Sequence, residues 1–370
     1  MIVAGEASGD HHAARLVRAL KDTVPDVFCF GIGGGRMEAE GVRLFARTKD
    51  VSVVGLTEIA ARFGGILSAL WTAGEMLKSM APDLLILVDF PDFNFRVAGY
   101  ASRLNVPVLY YISPQVWAWR RSRVKKIRRM VDKMAVILPF EEAFYKEHGI
   151  DAEYVGHPLA DWAARLPEKQ PPGEHPLVGL LPGSRPGEVS RHLPILLDAA
   201  RIIGGRIPGV EFLLARAPDI EEEYVRGFIQ EAEKKGKLPG VRLVQDAAEV
   251  FSRADMALTV SGTVTLEAAL AGLPMIILYR LSAISFAVAK ALIRVDFIGL
   301  PNLIARRAVV PELIQGRATP RAVADIACDW LQNPEKLAEV RRGLDEVRSL
   351  VGGPGASARA AKLALELLKR

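Results

Sequence analysis

Two short segments combine glycine, hydroxyl-bearing and charged residues in an order suited to phosphate recognition. The first, residues 181–188, carries Gly183, Ser184 and Arg185 between an apolar run and a helical pattern. A loop that joins a strand to a helix offers unpaired backbone N–H groups, and an arginine adds a permanent cation that can contact two phosphate oxygens. A glycine-proline turn with Arg185 in solvent fits these residues equally well, so this segment alone leaves both interpretations open.

The second segment, residues 258–267, again runs from an apolar stretch through a small polar turn into a helical pattern. Ser261, Gly262 and Thr263 follow an apolar run and could surround a diphosphate at the start of a helix. Glu267, one helical turn further on, could accept hydrogen bonds from both hydroxyls of a ribose. An ordinary helix cap at Ser261 is the alternative, but two such loops in one half of the chain favour a nucleotide-binding site.

Carboxylates that follow apolar runs in the first half are candidates for acid–base chemistry. Asp89 ends the run 84–88. Because ligands of open α/β sheets bind at the carboxyl ends of the strands, Asp89 is a candidate general base. Glu6 follows a shorter apolar run and is the second candidate, either as the base or as a group that binds or orients an acceptor.

Other polar residues near these candidates fit structural roles. Ser8 or Asp10 could cap the first helix, and Asp92 should cap a helix predicted over 93–104. The spacing from Asp89 to Asp92 differs from the Asp-x-Asp of metal-dependent glycosyltransferases, and no histidine and carboxylate cluster replaces it. The sequence therefore predicts no metal.

A glycine run, residues 31–35, resembles part of a dinucleotide-binding fingerprint. Arg36 occupies the position of the third glycine, so we expect a tight turn there instead. The standard P-loop sequence is also absent, and we predict no cofactor.

Two stretches could contact an anionic or lipid surface. Residues 113–119 contain two tryptophans, and seven lysines and arginines follow within residues 120–129. These cations could bind nucleic acid, an anionic membrane or a phosphorylated acceptor, although most of them fit a solvated helix face. Apolar residues at helical spacing run through 56–77, a pattern more typical of a core than of lipid contact. We predict peripheral membrane association through 120–129 together with 63–71.

Composition limits the class of protein. The chain has 370 residues, of which 50% are hydrophobic and 25% charged, which excludes a disordered or fibrous protein. The formal net charge of +5 is compatible with an anionic partner but does not identify one. Two distant cysteines fit a reducing cytoplasm, and no apolar stretch has the ~20 residues of a spanning helix, so membrane contact should be peripheral.

Short apolar runs alternate with helical patterns along the whole chain, which predicts an α/β protein with mostly parallel sheets. A stretch with four prolines and one glycine, residues 166–176, predicts a linker, after which the pattern begins again. We predict two Rossmann-like doubly wound domains over 1–165 and 177–350 that face a cleft, and a C-terminal helix over 351–370 that could pack back on the first. The predicted strands are 2–4, 27–31, 84–88, 108–112, 134–138, 153–155, 177–181, 211–215, 242–244, 256–260 and 275–279.

Taken together, these motifs resemble the lipid-A-disaccharide synthases, a family of inverting glycosyltransferases with two Rossmann-like domains, the GT-B architecture. The most specific matches are residues 111–120 and the Leu-Pro-Asn-Leu of residues 300–303. The other matching segments are residues 4–10, 89–94, 155–158, 181–185 and 261–263.

The resemblance implies a reaction. UDP-2,3-diacylglucosamine would be joined to 2,3-diacylglucosamine 1-phosphate, giving a β-1,6 disaccharide and UDP at the inner face of the inner membrane of a Gram-negative bacterium. It also implies functional roles for Asp89, Arg185, Glu267 and Asn302, with Asn302 bonded to substrate or leaving group. Two further substrate-binding candidates, Ser184 and Gln115, lie in matching segments.

The residues themselves leave two other functions open. A non-hydrolysing sugar-nucleotide 2-epimerase shares the two-domain architecture, but it needs no acceptor and forms no second product. An RNA-binding protein could use residues 120–129, but the aromatic platforms typical of single-strand binding are missing.

Overall fold

The computed structural model describes residues 1–48, 59–119, 121–167, 169–171, 173–292 and 295–369. It divides into two compact units, one formed by residues 1–161 with 353–370 and the other by residues 162–352. Residues 166–176, predicted as a linker, thus belong with the second unit. There the Gln170 N–H donates to the carbonyl oxygen of Ser252 at 2.9 Å.

The described residues of the first unit form a parallel seven-stranded sheet in the order β3-β2-β1-β4-β5-β6-β7. The chain runs outward in one direction from β1 and in the other from β4, so the topological switch point lies between these two strands. Ligands of doubly wound folds bind at such a point. The strands are β1 (Ile2–Ala4), β2 (Phe30–Gly33), β3 (Arg43–Arg47), β4 (Leu85–Val88), β5 (Val108–Tyr111), β6 (Lys133–Val136) and β7 (Ala152–Tyr154).

Helices cover both faces of this sheet, as the strict alternation of side chains in β4 requires. Leu85 and Leu87 join one buried cluster together with α3, α4 and α5, while Ile86 and Val88 join another together with α1. Full burial of each of these side chains contributes about 1.5–3 kcal/mol. The helices are α1 (Ala7–Thr23), α2 (Gly35–Ala39), α3 (Ile59–Met80), α4 (Pro91–Arg103), α5 (Val124–Met130), α6 (Glu141–Glu147) and α7 (Leu159–Ala163).

The second unit repeats this plan. Its described residues form a parallel six-stranded sheet in the order β10-β9-β8-β11-β12-β13, with the switch point between β8 and β11. The strands are β8 (Leu177–Leu181), β9 (Glu211–Ala215), β10 (Val241–Val244), β11 (Met256–Val260), β12 (Met275–Tyr279) and β13 (Glu312–Ile314). The helices are α8 (Pro186–Arg206), α9 (Glu222–Lys234), α10 (Ala247–Arg253), α11 (Thr263–Leu270), α12 (Ala283–Leu292), α13 (Leu300–Ala305), α14 (Pro320–Gln332) and α15 (Pro334–Val351).

The last helix, α16 (Ala356–Leu368), belongs to the first unit and packs against α1. Its buried face, which includes Leu363 and Leu367, completes the cluster on that side of the sheet. Arg359 donates to the carbonyl oxygen of Val155 at 2.7 Å and so ties α16 to the end of β7. The chain therefore passes from the first unit into the second and returns to the first at its C-terminal end.

The glycine run makes a tight connection, because Gly34 alone joins the end of β2 at Gly33 to the start of α2 at Gly35. The helix caps predicted in the first unit are wrong. Asp92 does not cap α4, which begins at Pro91 after Phe90, and its carboxylate pairs with Arg123 instead.

Neither Ser8 nor Asp10 caps α1, which begins at Ala7 with Glu6 as its N-cap and no side-chain cap bond. The buried Asp10 carboxylate instead accepts hydrogen bonds from the N–H groups of Gly34, Arg36 and Met37 at 2.7–3.1 Å. It therefore caps α2, a helix that follows another strand, which a local sequence pattern does not indicate.

Candidate functional site

Glu6 and Asp89 follow the two strands that flank the first switch point. Glu6 comes after β1 and is exposed, while Asp89 comes after β4 and is partly buried. Asp89 and Phe90 both adopt the left-handed region, with φ of 49° and 47°. For residues other than glycine this conformation costs about 1–2 kcal/mol each, so neighbouring groups must hold it.

Buried polar side chains supply that support. The carbonyl oxygen of Asp89 accepts hydrogen bonds from the Tyr110 hydroxyl at 2.7 Å and from the Asn94 amide at 2.6 Å. Both donor residues are fully buried, and the Asp89 N–H donates to the carbonyl oxygen of Tyr111 at 3.1 Å. The backbone of Asp89 is thus bound to β5 and to α4, and its carboxylate is left for other contacts.

The loops after β1 and β4 also pack directly on each other. A Cβ atom on Gly5 would lie 2.1 Å from the Phe90 ring, so only glycine allows the ring to take this place. This contact brings Glu6 close enough to act on Asp89 electrostatically. Burial first, and then the negative charge of Glu6, raise the pKa of Asp89 to about 6, while the Phe90 N–H opposes the shift. A carboxylate with such a pKa is well suited to accept a proton near neutral pH.

In the second unit, the two loops singled out in the sequence meet at one cavity of about 600 Å³. They follow β8 and β11, the strands on either side of the second switch point. All of the residues predicted in these segments to contact a nucleotide line it, namely Gly183, Ser184, Arg185, Ser261, Gly262, Thr263 and Glu267.

The loop after β8 is ordered by Glu188, a residue that the sequence analysis did not select. The Glu188 carboxylate accepts hydrogen bonds from the Ser184 N–H and from the Arg185 guanidinium, both at 3.1 Å. Gly183 has φ of 113°, and a Cβ atom there would lie 2.7 Å from the Glu188 side chain. The loop therefore requires glycine, and the exposed Arg185 is held at the cavity by one carboxylate.

The loop after β11 places a helix N-terminus at the cavity. Ser261 is not an ordinary cap, because its hydroxyl donates to the carbonyl oxygen of Ile298 at 2.8 Å. Gly262 is the N-cap of α11, and a Cβ atom there would meet nothing within 4 Å, so a side chain would project into the open cavity. Because the first N–H groups of a helix have no intrahelical acceptor, this position suits an anion.

Glu267 lies one turn into α11, partly buried and at the cavity wall. Burial, followed by the negative charge of Asp246, raises its pKa. Asp246 itself accepts a hydrogen bond from the Ala248 N–H at 2.9 Å and caps α10.

Other residues of this cavity were missed by sequence reasoning. Arg216 follows β9, Gln245 follows β10 and Tyr279 ends β12, and all three line the cavity. The Arg216 guanidinium donates to Gln245 Oε1, and Tyr279 stacks on His192 with ring centroids 5.5 Å apart. Each stands alone in the sequence, and its place at the carboxyl end of a strand was the only available signal.

Asn302 lies elsewhere, and its geometry gives no support to the predicted contact with substrate. It is fully buried, and its amide donates to Val310 O and to Glu312 Oε1, both at 2.8 Å. Its side-chain oxygen accepts from the N–H groups of Val309 and Val310. Glu312 also accepts a hydrogen bond from the Ile298 N–H. Through Glu312, Asn302 therefore helps to hold Ile298, the residue whose carbonyl oxygen accepts from Ser261.

The tryptophan-containing stretch is organised around a buried carboxylate. Glu141 accepts hydrogen bonds from Ser113 Oγ at 2.6 Å and Trp117 Nε1 at 2.9 Å, as well as from the N–H groups of Ile137 and Leu138. Burial raises its pKa despite these donors. Within residues 111–119 only Gln115 and Trp119 are exposed, so these two side chains are the ones available to a ligand.

Within the described ranges, no three histidine, cysteine or acidic side chains come together as a metal-binding group. None of the helices in that part of the chain combines the length and apolar character needed to cross a bilayer.

Comparison with known proteins decides the family. Residues 1–366 match the family model described as lipid-A-disaccharide synthetase. The lipid-A-disaccharide synthase of Syntrophus aciditrophicus (strain SB) is 44% identical, with 100% of this chain and 98% of that protein covered. The chain belongs to the lipid-A-disaccharide synthase family.

Solved structures show a fold in common with other enzymes. MurG of Acinetobacter baumannii superposes with a TM-score of 0.64 at 15% identity over 99% of this chain and 98% of that one. The UDP-GlcNAc 2-epimerase of Neisseria meningitidis, bound to UDP-GlcNAc, gives 0.60 at 12% identity over 100% and 98%. These likenesses show the two Rossmann-like domains alone. The membership in the lipid-A-disaccharide synthase family is what argues against the epimerase and RNA-binding alternatives.

Proposed function

We propose that this protein is an inverting glycosyltransferase that joins UDP-2,3-diacylglucosamine to 2,3-diacylglucosamine 1-phosphate and releases UDP and a β-1,6 disaccharide 1-phosphate. Family membership over residues 1–366 carries this proposal. The cavity of the second unit, where two glycine-containing loops and a helix N-terminus converge, supports it independently.

The donor binds through its nucleotide in the second unit. Its diphosphate contacts Arg185, Ser184 and the first turn of α11 at residues 261–263, and its ribose hydroxyls donate to Glu267. When the glycosidic bond breaks, negative charge develops on the departing UDP. Arg185 and the N–H groups of α11 stabilise that charge because they are already in place. Because a guanidinium has five N–H donors, Arg185 can contact the phosphate while one of them remains bonded to Glu188.

The attacking group is the 6-hydroxyl of the acceptor, and Asp89 takes its proton. A single displacement with inversion forms no covalent intermediate and needs only one base, which takes the proton from the acceptor hydroxyl. The pKa of about 6 leaves Asp89 ionised at pH 7 and still basic enough to accept the proton. Glu6 adds to the effect of burial in raising this pKa, and it orients the acceptor. If Glu6 were the base instead, its loss would abolish turnover while that of Asp89 would not.

The acceptor and donor both carry acyl chains, so the protein works at a membrane surface, which we place at the inner face of the inner membrane. On α3, Leu67 and Trp71 are 48% and 68% exposed although Leu70 and Leu77 of the same helix are buried. Leu56, the first residue of the apolar pattern predicted over 56–77, lies outside the described residues. Among the cations of residues 120–129, the exposed Lys125, Lys126 and Arg129 contact the anionic membrane surface, whereas the Arg128 guanidinium lies against Gly149. Arg120 is not described.

This association is tested by flotation with vesicles that contain an anionic phospholipid. We expect binding at low salt that weakens as salt rises, and Trp71→Ser should reduce it further. Protein that stays unbound at low salt would remove the membrane proposal.

The reaction itself is tested by incubating the protein with the UDP-linked donor, with and without the phosphorylated acylated acceptor. We expect UDP and a disaccharide to appear together and only when the acceptor is present. Conversion of the donor sugar to its 2-epimer without acceptor would support the epimerase instead.

A further inference from the structure

A second cavity is lined only by residues of the first unit. It has a volume of about 730 Å³ and forms a trough between α4 and α5, which we call the α4–α5 trough. One face of α4 forms one wall, and the last turn before α5 and one face of α5 form the other. The lining residues are Asp92, Phe95, Arg96, Gly99, Tyr100, Arg103, Arg123, Lys126, Arg129 and Met130.

The charge of this lining is unbalanced. It holds five cationic side chains and one carboxylate, that of Asp92, which already pairs with Arg123. Arg96, Lys126 and Arg129 form no ion pair or hydrogen bond with any residue that the structure describes. Converging cations of this kind repel one another, so an anion bound among them would relieve the repulsion and gain charge-assisted hydrogen bonds.

The lining of the trough also includes apolar and aromatic side chains, those of Phe95, Tyr100 and Met130. The Arg123 guanidinium lies over the Phe95 ring, 5.5 Å from its centroid, and Arg103 lies 6.0 Å from the centroid of Tyr100. These contacts hold the two guanidinium groups beside the aromatic rings. A concave site lined by both cations and apolar side chains suits a molecule that carries both a phosphate and acyl chains.

We propose that the α4–α5 trough binds the phosphate of the acylated sugar-phosphate acceptor, which extends the proposed function from the reacting hydroxyl to the other end of the same molecule. The trough begins at Asp92, three residues after Asp89 and at the start of the same helix. A phosphate monoester carries a charge of about −1.5 to −2 near pH 7, which three unpaired cations match better than the single charge of a phosphodiester lipid head group.

The matched pair Arg129→Ala and Arg128→Ala tests the proposal. The two residues are neighbours on α5 and both are exposed, but only Arg129 lines the trough, whereas Arg128 lies against Gly149. Each variant is assayed in neutral detergent micelles with the phosphorylated acceptor and with its dephosphorylated analogue. Thermal unfolding confirms that both variants fold.

We expect Arg129→Ala to raise the KM for the phosphorylated acceptor roughly 10- to 100-fold, because it removes charge-assisted hydrogen bonds. Its kcat, its KM for the donor and its KM for the dephosphorylated analogue should stay within about twofold of the wild type. Arg96→Ala, on the opposite wall, should behave likewise, and Arg128→Ala should match the wild type throughout.

Equal KM values for both acceptors in every variant would overturn the proposal. If Arg129→Ala, but not Arg128→Ala, bound vesicles of an anionic phospholipid less well while its acceptor KM stayed unchanged, the proposal would be overturned and a lipid head group would be the ligand of the trough. These outcomes differ from failure of the proposed function, in which the wild type itself would form no disaccharide. Equilibrium binding of the phosphorylated acceptor in the absence of donor, weakened by Arg129→Ala but not by Arg128→Ala, would still support the trough in that case.

Discussion

In the first unit, the switch point between β1 and β4 is followed by Glu6 and Asp89, whereas in the second unit the one between β8 and β11 is followed by Arg185 and residues 261–263. The strand order around both points is of the same kind. The difference in side chains suits one point to the proposed base and the other to the proposed diphosphate contacts. Topology therefore determines where a site forms, and the loop residues determine its chemistry.

The two places also differ in how they are held. Asp89 has a left-handed backbone fixed by the buried groups of Tyr110 and Asn94. Arg185 is exposed, and one carboxylate, that of Glu188, holds it. A fixed base suits its proposed task, because proton transfer depends on accurate placement of the carboxylate. A mobile cation suits its own, because the arginine side chain can adjust its position to a flexible diphosphate.

The largest effect is expected from Asp89→Asn. An amide cannot accept the hydroxyl proton, so kcat should fall roughly 10²- to 10⁴-fold. Asp83→Asn, at the opposite end of the same strand, is the control and should keep the wild-type kcat. Near-normal turnover in Asp89→Asn, with the loss appearing in Glu6→Gln, would move the role of base to Glu6.

Glu267→Ala should produce the next largest effect. Loss of a charged hydrogen-bonding partner costs about 1.5–3 kcal/mol, so the affinity for UDP should fall roughly 10- to 100-fold. Because the proposed nucleotide contacts lie in the second unit and the proposed base in the first, the loss should appear in the KM for the donor. Glu231→Ala, an exposed carboxylate of the same unit, is the control. Unchanged affinity in Glu267→Ala would remove the ribose assignment.

Tyr110→Phe removes one of the hydrogen bonds that hold the Asp89 carbonyl. A neutral hydrogen bond contributes about 0.5–1.5 kcal/mol, so kcat should fall roughly 2- to 10-fold while the KM for the donor stays constant. Tyr145→Phe is the matched control, since its buried hydroxyl donates to Pro114 instead. Equal losses in both variants would indicate a general effect on stability rather than positioning of Asp89.

The smallest effect concerns pH. Since the pKa of Asp89 is raised to about 6, kcat/KM should fall as the pH drops below about 6, where the carboxyl becomes protonated. Glu6→Gln removes a negative neighbour and should shift this acid limb to lower pH. The shift should be modest, because burial rather than Glu6 is the main cause. A limb that stays at the same pH in Glu6→Gln would show that the two carboxylates are not coupled.

The central strands could be predicted because they are buried on both faces and so are continuously apolar. The bounds predicted for β8, β9, β11 and β12 are those observed. Two short strands were missed: β3 contains two arginines, and β13 has only three residues, one of them Glu312. Strands of such length and polarity do not differ from loops in their local pattern.

The candidate sites were predictable to the extent that their residues form contiguous motifs. Arg185, residues 261–263 and Glu267 line one cavity, whereas Arg216, Gln245 and Tyr279 meet there only through the fold. Asn302 is the reverse case, a residue of a contiguous motif whose bonding partners the sequence does not reveal. Its motif predicts contact with substrate, but the structure bonds its amide internally on all sides, which local sequence cannot indicate.

Calorimetric titration of UDP into Asp89→Asn and Glu267→Ala, side by side with the wild type, tests the division of labour between the two units most directly. We expect Asp89→Asn to bind UDP with the wild-type Kd, because the proposed nucleotide contacts all belong to the second unit, and Glu267→Ala to bind it roughly 10- to 100-fold more weakly. Weakened binding in Asp89→Asn together with wild-type binding in Glu267→Ala would contradict it.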